Sequence, residues 1–346
     1  MEGFRSEEWG NRMTRYDIIG DIHGCAEQLA TLLGRLGYER DGSGIHRHPD
    51  RTAIFVGDLV DRGDGQREVL QTVKAMADAG SAKIVMGNHE FNAVCYATPN
   101  PDKPGDFLRT HEDPKNEEGH AAFLKLTEDE REHYLDWFKT LPLWLELEGE
   151  NGQTLRVIHA CWHEPSMEVV RKHCNGTDQL LTVENFVEAS RKNSELYEAI
   201  EILLKGPEIR LTDLGFERYY DHIGKPRESA RVRWWDHNAR TLDKIADVRG
   251  MKTKDDEEYG PLPAVEVTDF DFSVIYTDPV PLIYGHYWFD WDDHREDWTE
   301  HTACVDYGAV DHDGRLVAYR WDGQPRITRE NYVPHTIDVV APTPSA

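Results

Sequence analysis

The chain has no apolar run approaching the roughly 20 residues that a membrane-spanning helix needs. Its opening residues, "MEGFRSEEWGNRM", contain no apolar h-region, so nothing in them argues for secretion. Cysteine is scarce: the five, at 25, 95, 161, 174 and 304, are odd in number and include no CxxC pair. That usage argues against a disulfide framework and fits reduced thiols, and a cytoplasmic location is the expectation. Basic residues are outnumbered, 39 Lys and Arg against 65 Asp and Glu, for a formal net charge of −26. A surface of that sign repels DNA, RNA and anionic membranes, so neither a DNA nor a membrane partner is expected. An anionic substrate would need a local source of positive charge, which a metal centre with a few arginines can supply.

What is present is a globular composition, 39% aliphatic and aromatic over 346 residues, sufficient for a large core. One pattern occurs three times near the start. "RYDIIGDIHG" reads as a strand, followed by Leu29, Leu32, Leu33 and Leu36 at helical spacing. "RTAIFVGDLVDRG" is the next strand, with Val69, Leu70, Val73, Met76 and Ala77 on one face of the helix after it. "AKIVMGNHE" is the third, with a helix expected from about Asn92. Short apolar runs alternating with helices predict a largely parallel α/β sheet, whose ligand sites lie beyond the carboxyl ends of the strands.

Residues 98–120, rich in Pro, Gly and charge, predict a long solvated loop carrying His111, Lys115 and His120. Thr127 and Glu130 form a capping box before a helix that runs through Phe138. "LPLWLEL" and "TLRVIHACW" follow as strands, and 183–205 as one helix stopped by Gly206 and Pro207. Residues 207–271 show no clean periodicity and read as an irregular lid. "VPLIYGHYWF", "TACVDYGAV" and "RLVAYRW" are the closing strands, the last two joined by the Asp-Gly turn of "DHDGR". The expected organisation is one domain over 14–332, with 165–270 as a helical and irregular insertion near the site and flexible termini at 1–13 and 333–346.

The strand ends share a residue type. Asp21 and His23 stand two apart in "GDIHG", where extended backbone points both to one side. "GDLVDRG" gives Asp58, Asp61 and Arg62, "GNHE" gives Asn88 and His89, "VIHACW" gives His159, and "YGHYW" gives His286. Asp, Asn and His suit divalent ions such as Mn, Fe and Zn. Any one of these residues reads blandly as a turn aspartate or a hydrogen-bonded histidine. Five such clusters, all at strand ends, are hard to obtain from turns alone. His222, His237, His294 and His301 lie in polar segments and read as solvent-exposed.

In order and spacing, "GDIHG", "GDLVDRG" and "GNHE" resemble the three signatures of phosphoprotein-phosphatase-type metallophosphoesterases, the calcineurin-like family. The resemblance implies a β-sandwich flanked by helices, with a two-metal centre most simply filled by Mn²⁺, Fe and Zn being alternatives. It implies Asp21, His23 and Asp58 on one ion, with Asp58 bridging to a second completed by Asn88, His159 and His286. It further implies direct attack by a metal-bridging hydroxide, Arg62 clamping the phosphate, and His89 as general acid oriented by Asp61. A second phosphate-binding arginine is expected from "RVRWWD", where Arg233 is preferred to Arg231. Glu90 has only a helix-capping reading.

Departures from the family narrow the branch. "HACWHE" stands where protein serine/threonine phosphatases carry His-Gly-Gly or His-Ala-Gly, and their late "SAPNYC"-like segment is absent. Cys161 needs no nucleophilic role and reads as a buried thiol. The ending "CVDYGAV", with Cys25 after the first signature, resembles the bacterial branch of PrpE-like and bis(5′-nucleosyl)-tetraphosphatase-like proteins. The expected activity is hydrolysis of phosphomonoesters, on a phosphoprotein or a small phosphate ester. Phosphoanhydride cleavage of a bis(5′-nucleosyl) tetraphosphate is the alternative, and a catalytically silent nucleotide- or partner-binding member is the alternative of another class. Trp234, Trp235, Trp288 and Trp298 can stack a base, although packing is the simpler role for each.

Overall fold

Short runs of β-branched and aromatic residues, each closed by glycine or a polar turn, set the strand lengths. The computed structural model describes residues 15–150, 152–221, 224–268, 270–292 and 298–336. Ten strands build two sheets: β1 (Tyr16–Ile19), β2 (Thr52–Phe55), β3 (Ala82–Ile84), β4 (Trp144–Glu148), β5 (Thr154–Ile158), β6 (Leu282–Tyr284), β7 (Thr302–Cys304), β8 (Asp306–Tyr307), β9 (Arg315–Trp321) and β10 (Tyr332–Pro334). The first sheet runs β8-β9-β1-β2-β3, with β10 on the far side of β9. Within it β1, β2 and β3 are parallel, Ile18 facing Ile54 and Ile54 facing Lys83, while β9 lies antiparallel to β1. The second sheet runs β7-β6-β5-β4, with β6 parallel to both neighbours and β4 antiparallel to β5. The architecture is thus a pair of mixed sheets flanked by helices, as the family resemblance implies, rather than the largely parallel sheet that the βα pattern alone predicts. One contiguous apolar cluster runs from Tyr16 to Tyr332 and takes in strands of both.

The chain changes sheets at Val305, which lies between β7 and β8 and donates its N–H to Tyr284 (2.8 Å). The sheets therefore meet at the carboxyl ends of their parallel strands, the edge where ligand sites form.

The helices are α1 (Ala26–Leu36), α2 (Gln66–Asp78), α3 (Asn88–Ala97), α4 (Pro114–His120), α5 (Glu128–Lys139), α6 (Glu164–His173), α7 (Val183–Ser190) and α8 (Glu195–Lys205). In α1 the four predicted leucines are all buried, and Gly37 closes it in the left-handed conformation. Thr127 and Glu130 cap α5 as their spacing implies. α3 begins at Asn88, four residues before the expected start, because the Glu90 carboxylate accepts the Gly87 N–H (3.0 Å) and holds the first turn. The single helix expected over 183–205 is two, since the Ser194 side chain accepts the Tyr197 N–H and opens α8 as a separate helix. α6 opens the segment expected to be helical and irregular; it starts with a proline in its first turn and buries Ser166, Met167 and Val170 on one face.

Residues 207–271 are largely irregular, as expected, but hold a small sheet of Glu208–Arg210, Ser229–Val232 and Ala246–Asp247. Trp234 and Trp235 from this segment are fully buried against Tyr284 and Tyr287, so the segment is packed into the core. The expected flexible tail needs a correction at its start, because Val333 and Pro334 pair with Ala318 and Val317 of β9. Residues 1–13 and 337–346 lie outside the described residues. Among the described residues no helix is long and apolar enough to cross a membrane.

On the edge opposite the site, Asp17 of β1 is completely buried and accepts from Arg51 Nε and Arg320 Nε, both at 2.9 Å. Arg51 also donates to the carbonyls of Tyr16 and Trp321, so one guanidinium joins three chain segments. Asp17→Ala would remove the buried partner of Arg51 and leave it only the half-exposed Asp322 carboxylate, a cost of about 1–3 kcal/mol that urea unfolding should register. Asp17→Asn, which keeps an acceptor, should lose less.

Candidate metal centre

The strand ends bring the sequence-predicted residues together around Asp58, which is 2% exposed. His23 Nε2 lies 3.5 Å and His89 Nε2 3.9 Å from Asp58 Oδ2, while His159 Nε2 lies 3.6 Å from Oδ1. His23, Asp58 and His89 form one compact donor group, and Asp58, His159 and His286 a second that shares the same carboxylate. Asn88 Oδ1 is 3.0 Å from His159 Nε2. Asp21 accepts the His286 N–H through both oxygens (3.1 and 3.3 Å), which ties the end of β1 to the end of β6.

The hydrogen bonds behind the rings fix which nitrogen faces the centre. His23 Nδ1 donates to the Val60 carbonyl (2.9 Å) and His159 Nδ1 to the Val56 carbonyl (2.8 Å). A carbonyl only accepts, so both Nδ1 atoms carry the proton and a neutral ring leaves Nε2 with a lone pair. Burial, reinforced by the His89 charge and only partly offset by Asp58, pushes His23 down to about 3 and keeps it neutral. His286 is likewise driven well below its ordinary value by burial and then by Arg231, and its Nε2 has no hydrogen-bond partner among the described residues. Lone pairs on Nε2 therefore confront the oxygens of Asp58 and Asn88. Acceptors facing acceptors at 3.0–3.6 Å repel unless a cation lies among them, so this donor set fits divalent metal.

The local charge agrees. Burial, then Asp306, then Asp58 push the Asp21 carboxyl well above its ordinary value, because three carboxylates share a dry region. Burial also works to raise Asp58, but the adjoining histidines carry it below the usual carboxylate range.

The backbone is bent to deliver these groups. Six of the ten described non-glycine residues with positive φ belong here: His23, Asp58, Asp61, Arg62, His286 and Trp288. Each such conformation costs of order 1–3 kcal/mol, a cost borne by surrounding contacts. Two glycines are sterically required. A Cβ on Gly57, at φ +98°, would sit 2.4 Å from Gly87 N, and one on Gly285 would sit 2.1 Å from Asp21 Oδ1.

Around the donors, His89 Nδ1 donates to Asp61 Oδ2 (2.6 Å), the pairing expected between them. The Arg62 guanidinium lies 4.5 Å from the Trp288 ring centre. Arg231 donates to the His286 carbonyl (3.3 Å), whereas Arg233 pairs with Asp247 at 3.7 Å. His237 is exposed, and His301 immediately precedes β7 at the opposite edge of the second sheet; His222 and His294 lie outside the described residues. Cys161 is fully buried, with burial holding its thiol well above the ordinary value, so it offers no thiolate.

Three residues enter that strand-end reasoning does not single out. Asp306 accepts from Trp288 N and Gly308 N (both 3.1 Å) and so holds the loop on which Arg62 rests. It follows the apolar run "TACV", the same signal that marks Asp21 and Asp58. Glu90 accepts from Asp58 N (2.8 Å), Gly87 N (3.0 Å) and Leu59 N (2.8 Å), clamping the second signature to the third. Its role is thus wider than helix capping. His120, expected on a solvated loop, is 2% exposed and donates from Nδ1 to Asp61 Oδ2 (2.9 Å), while His111 and Lys115 are exposed as expected. No local pattern marks it, because the contact spans 59 positions.

The sequence model of the calcineurin-like phosphoesterase family matches residues 14–250. A bis(5′-nucleosyl)-tetraphosphatase PrpE [asymmetrical] of Bacillus subtilis (strain 168) is 35% identical over 150 residues, 42% of this chain and 57% of its own length. The protein of the same name from Bacillus velezensis is 44% identical over 96 residues, 28% of this chain and 38% of its own. The chain thus spans between about a third and somewhat over half the length of these relatives. Among solved structures, a protein serine/threonine phosphatase from Saccharomyces cerevisiae aligns with 94% of this chain and 80% of its own at 13% identity and TM-score 0.42. A cold-active protein-tyrosine phosphatase of a Shewanella species aligns with 94% and 81% at 12% identity and TM-score 0.41.

Glu90→Gln would set an amide NH₂ against at least one of the three N–H donors. A loss of about 1–3 kcal/mol in chemical denaturation is expected, together with lower metal content by mass spectrometry, because the Asp58 backbone loses its anchor.

Proposed function

The chain belongs to the calcineurin-like phosphoesterase family, and on that premise we propose that it hydrolyses phosphate esters or anhydrides at a two-metal centre. The observation that carries this reading is the shared Asp58 carboxylate, ringed by imidazole Nε2 atoms whose lone pairs face it. Asp21, His23 and Asp58 would hold one ion, and Asp58, Asn88, His159 and His286 the other; Mn²⁺ is the proposed metal, with Fe and Zn as alternatives. When bound, the ions would supply positive charge to the phosphoryl oxygens and acidify the attacking water.

The chain's own residues do the rest. With Nδ1–H held by Asp61, the His89 ring turns Nε2 toward the centre, where as imidazolium it can protonate the leaving oxygen. Burial opposes that charge, but Asp58 and the hydrogen bond to Asp61 outweigh it and raise His89 above the ordinary imidazole value. Stacked on Trp288, Arg62 keeps its N–H edge available for phosphoryl oxygens. Arg231, hydrogen-bonded to the His286 carbonyl, is the better-supported second phosphate ligand, since Arg233 is paired with Asp247.

For the substrate, the names of the relatives favour a bis(5′-nucleosyl) tetraphosphate, which shifts the weight from the phosphomonoester expectation. The His89–Asp61 pair keeps the phosphomonoester reading alive. An alkoxide leaving group needs a proton more than a departing phosphate does.

Product analysis separates the two. Mn²⁺-loaded protein given diadenosine tetraphosphate should release ATP and AMP, whereas a phosphomonoesterase should release inorganic phosphate from phosphoserine peptides. No turnover on either, nor on a panel of natural esters, would point to a silent binding member. His89→Ala should lower kcat by about 10²–10⁴-fold with both metals retained. Asp58→Asn should instead lose metal, and chelation should abolish turnover; metal loss from His89→Ala would overturn the assigned roles.

A further inference from the structure

Asp61 receives two imidazoles on one oxygen. Its Oδ2 accepts from His89 Nδ1 at 2.6 Å and from His120 Nδ1 at 2.9 Å. An ionised carboxylate has no proton to give, so both rings carry hydrogen on Nδ1. Burial works to raise the Asp61 carboxyl, yet the hydrogen bonds from His120 and His89 carry it below its ordinary value, consistent with an ion. Asp61 Oδ1 is buried and has no hydrogen-bond partner among the described residues. The side chain is therefore oriented by these two donors alone, while its backbone is clasped by Gln66, which accepts the Asp61 N–H (2.8 Å) and donates to its carbonyl (3.1 Å).

We propose that His120 is a positioning residue for the proton-donating pair: it pins the Asp61 oxygen that sets the angle of the His89 ring. This rests on the reading of His89 as the acid. One donor leaves a carboxylate free to swing about its side-chain torsions, whereas two donors from different directions fix the oxygen in space. His120 is itself well held. It closes α4 and lies 5.2 Å from the Tyr96 ring, which stacks on His111 at 3.9 Å, and His111 stacks on Phe107 at 4.0 Å. Its Nε2 is buried without a partner among the described residues, so a purely packing role would be better served by an apolar side chain. The 98–120 segment thereby reaches the reacting groups through one hydrogen bond.

The test uses leaving groups of different basicity, on aryl phosphates or on aryl esters of a nucleotide where the enzyme requires one. His120→Ala should lower kcat about 30-fold for a phenyl ester but no more than about threefold for the p-nitrophenyl ester, whose leaving group needs little protonation. KM should change little, and metal content should stay at the wild-type level. His120→Asn, whose amide N–H can stand where the imidazole Nδ1–H stands, should recover most of the phenyl-ester rate. Long-range ¹H–¹⁵N spectra of the metal-free protein should show one buried Nδ1–H ring signal fewer in His120→Asn than in the wild type, with those of His23, His89 and His159 retained.

Equal losses on both esters, no loss on either, or loss of metal would overturn the role of His120. A flat leaving-group response in His89→Ala would overturn the acid assignment and this inference with it. A steep response there with a flat one in His120→Ala would overturn this inference alone.

Discussion

Much of this structure follows from one electrostatic conflict. Backbone carbonyls behind His23 and His159 take the ring N–H groups, which obliges the Nε2 lone pairs to face the oxygens of Asp58 and Asn88. A divalent cation among them would reconcile those groups in a dry interior. The rest of the edge is organised to maintain the confrontation. Six side chains accept left-handed backbone, two glycines permit near-contact, and Glu90 spends its carboxylate on three N–H groups of two different turns.

The fold class and the grouping of the candidate site residues were both legible through the three signatures, whereas the pairing of distant strands was not. Asp21, His23, Asp58, Asn88, His159 and His286 each follow an apolar run, and such runs deliver their last residues to a common edge. Asp306 carries the same signal after "TACV", and its function in holding the Trp288 loop is readable only once that loop is folded beside it. The sheet arrangement was hidden for a different reason. A βαβ pattern fixes neighbours within a sheet, but β9 reaches β1 from the other end of the chain, and hydropathy says nothing of such distant pairing.

His120 marks where local reading fails outright. Its neighbours are proline, glycine and charge, and such composition predicts solvent. Tertiary packing overrides it, because Asp61 offers a buried acceptor and the Tyr96 ring, itself stacked on His111, lies beside the imidazole. Arg231 and Arg233 illustrate a smaller ambiguity. Of two arginines two residues apart, the sequence prefers Arg233, yet Asp247 engages that one while Arg231 reaches the His286 carbonyl.

The crossing at Val305 bears on how such a chain can vary. A single residue separates Cys304 in one sheet from Asp306 in the other, with no slack between them. Adding one residue there would turn Asp306 to the opposite face of its strand, because side chains alternate with a period of two. Trp288 would lose its anchor, and Arg62 its platform, without any change in the amino acids that touch the centre. At this point the spelling of the site includes the number of letters as well as their identity.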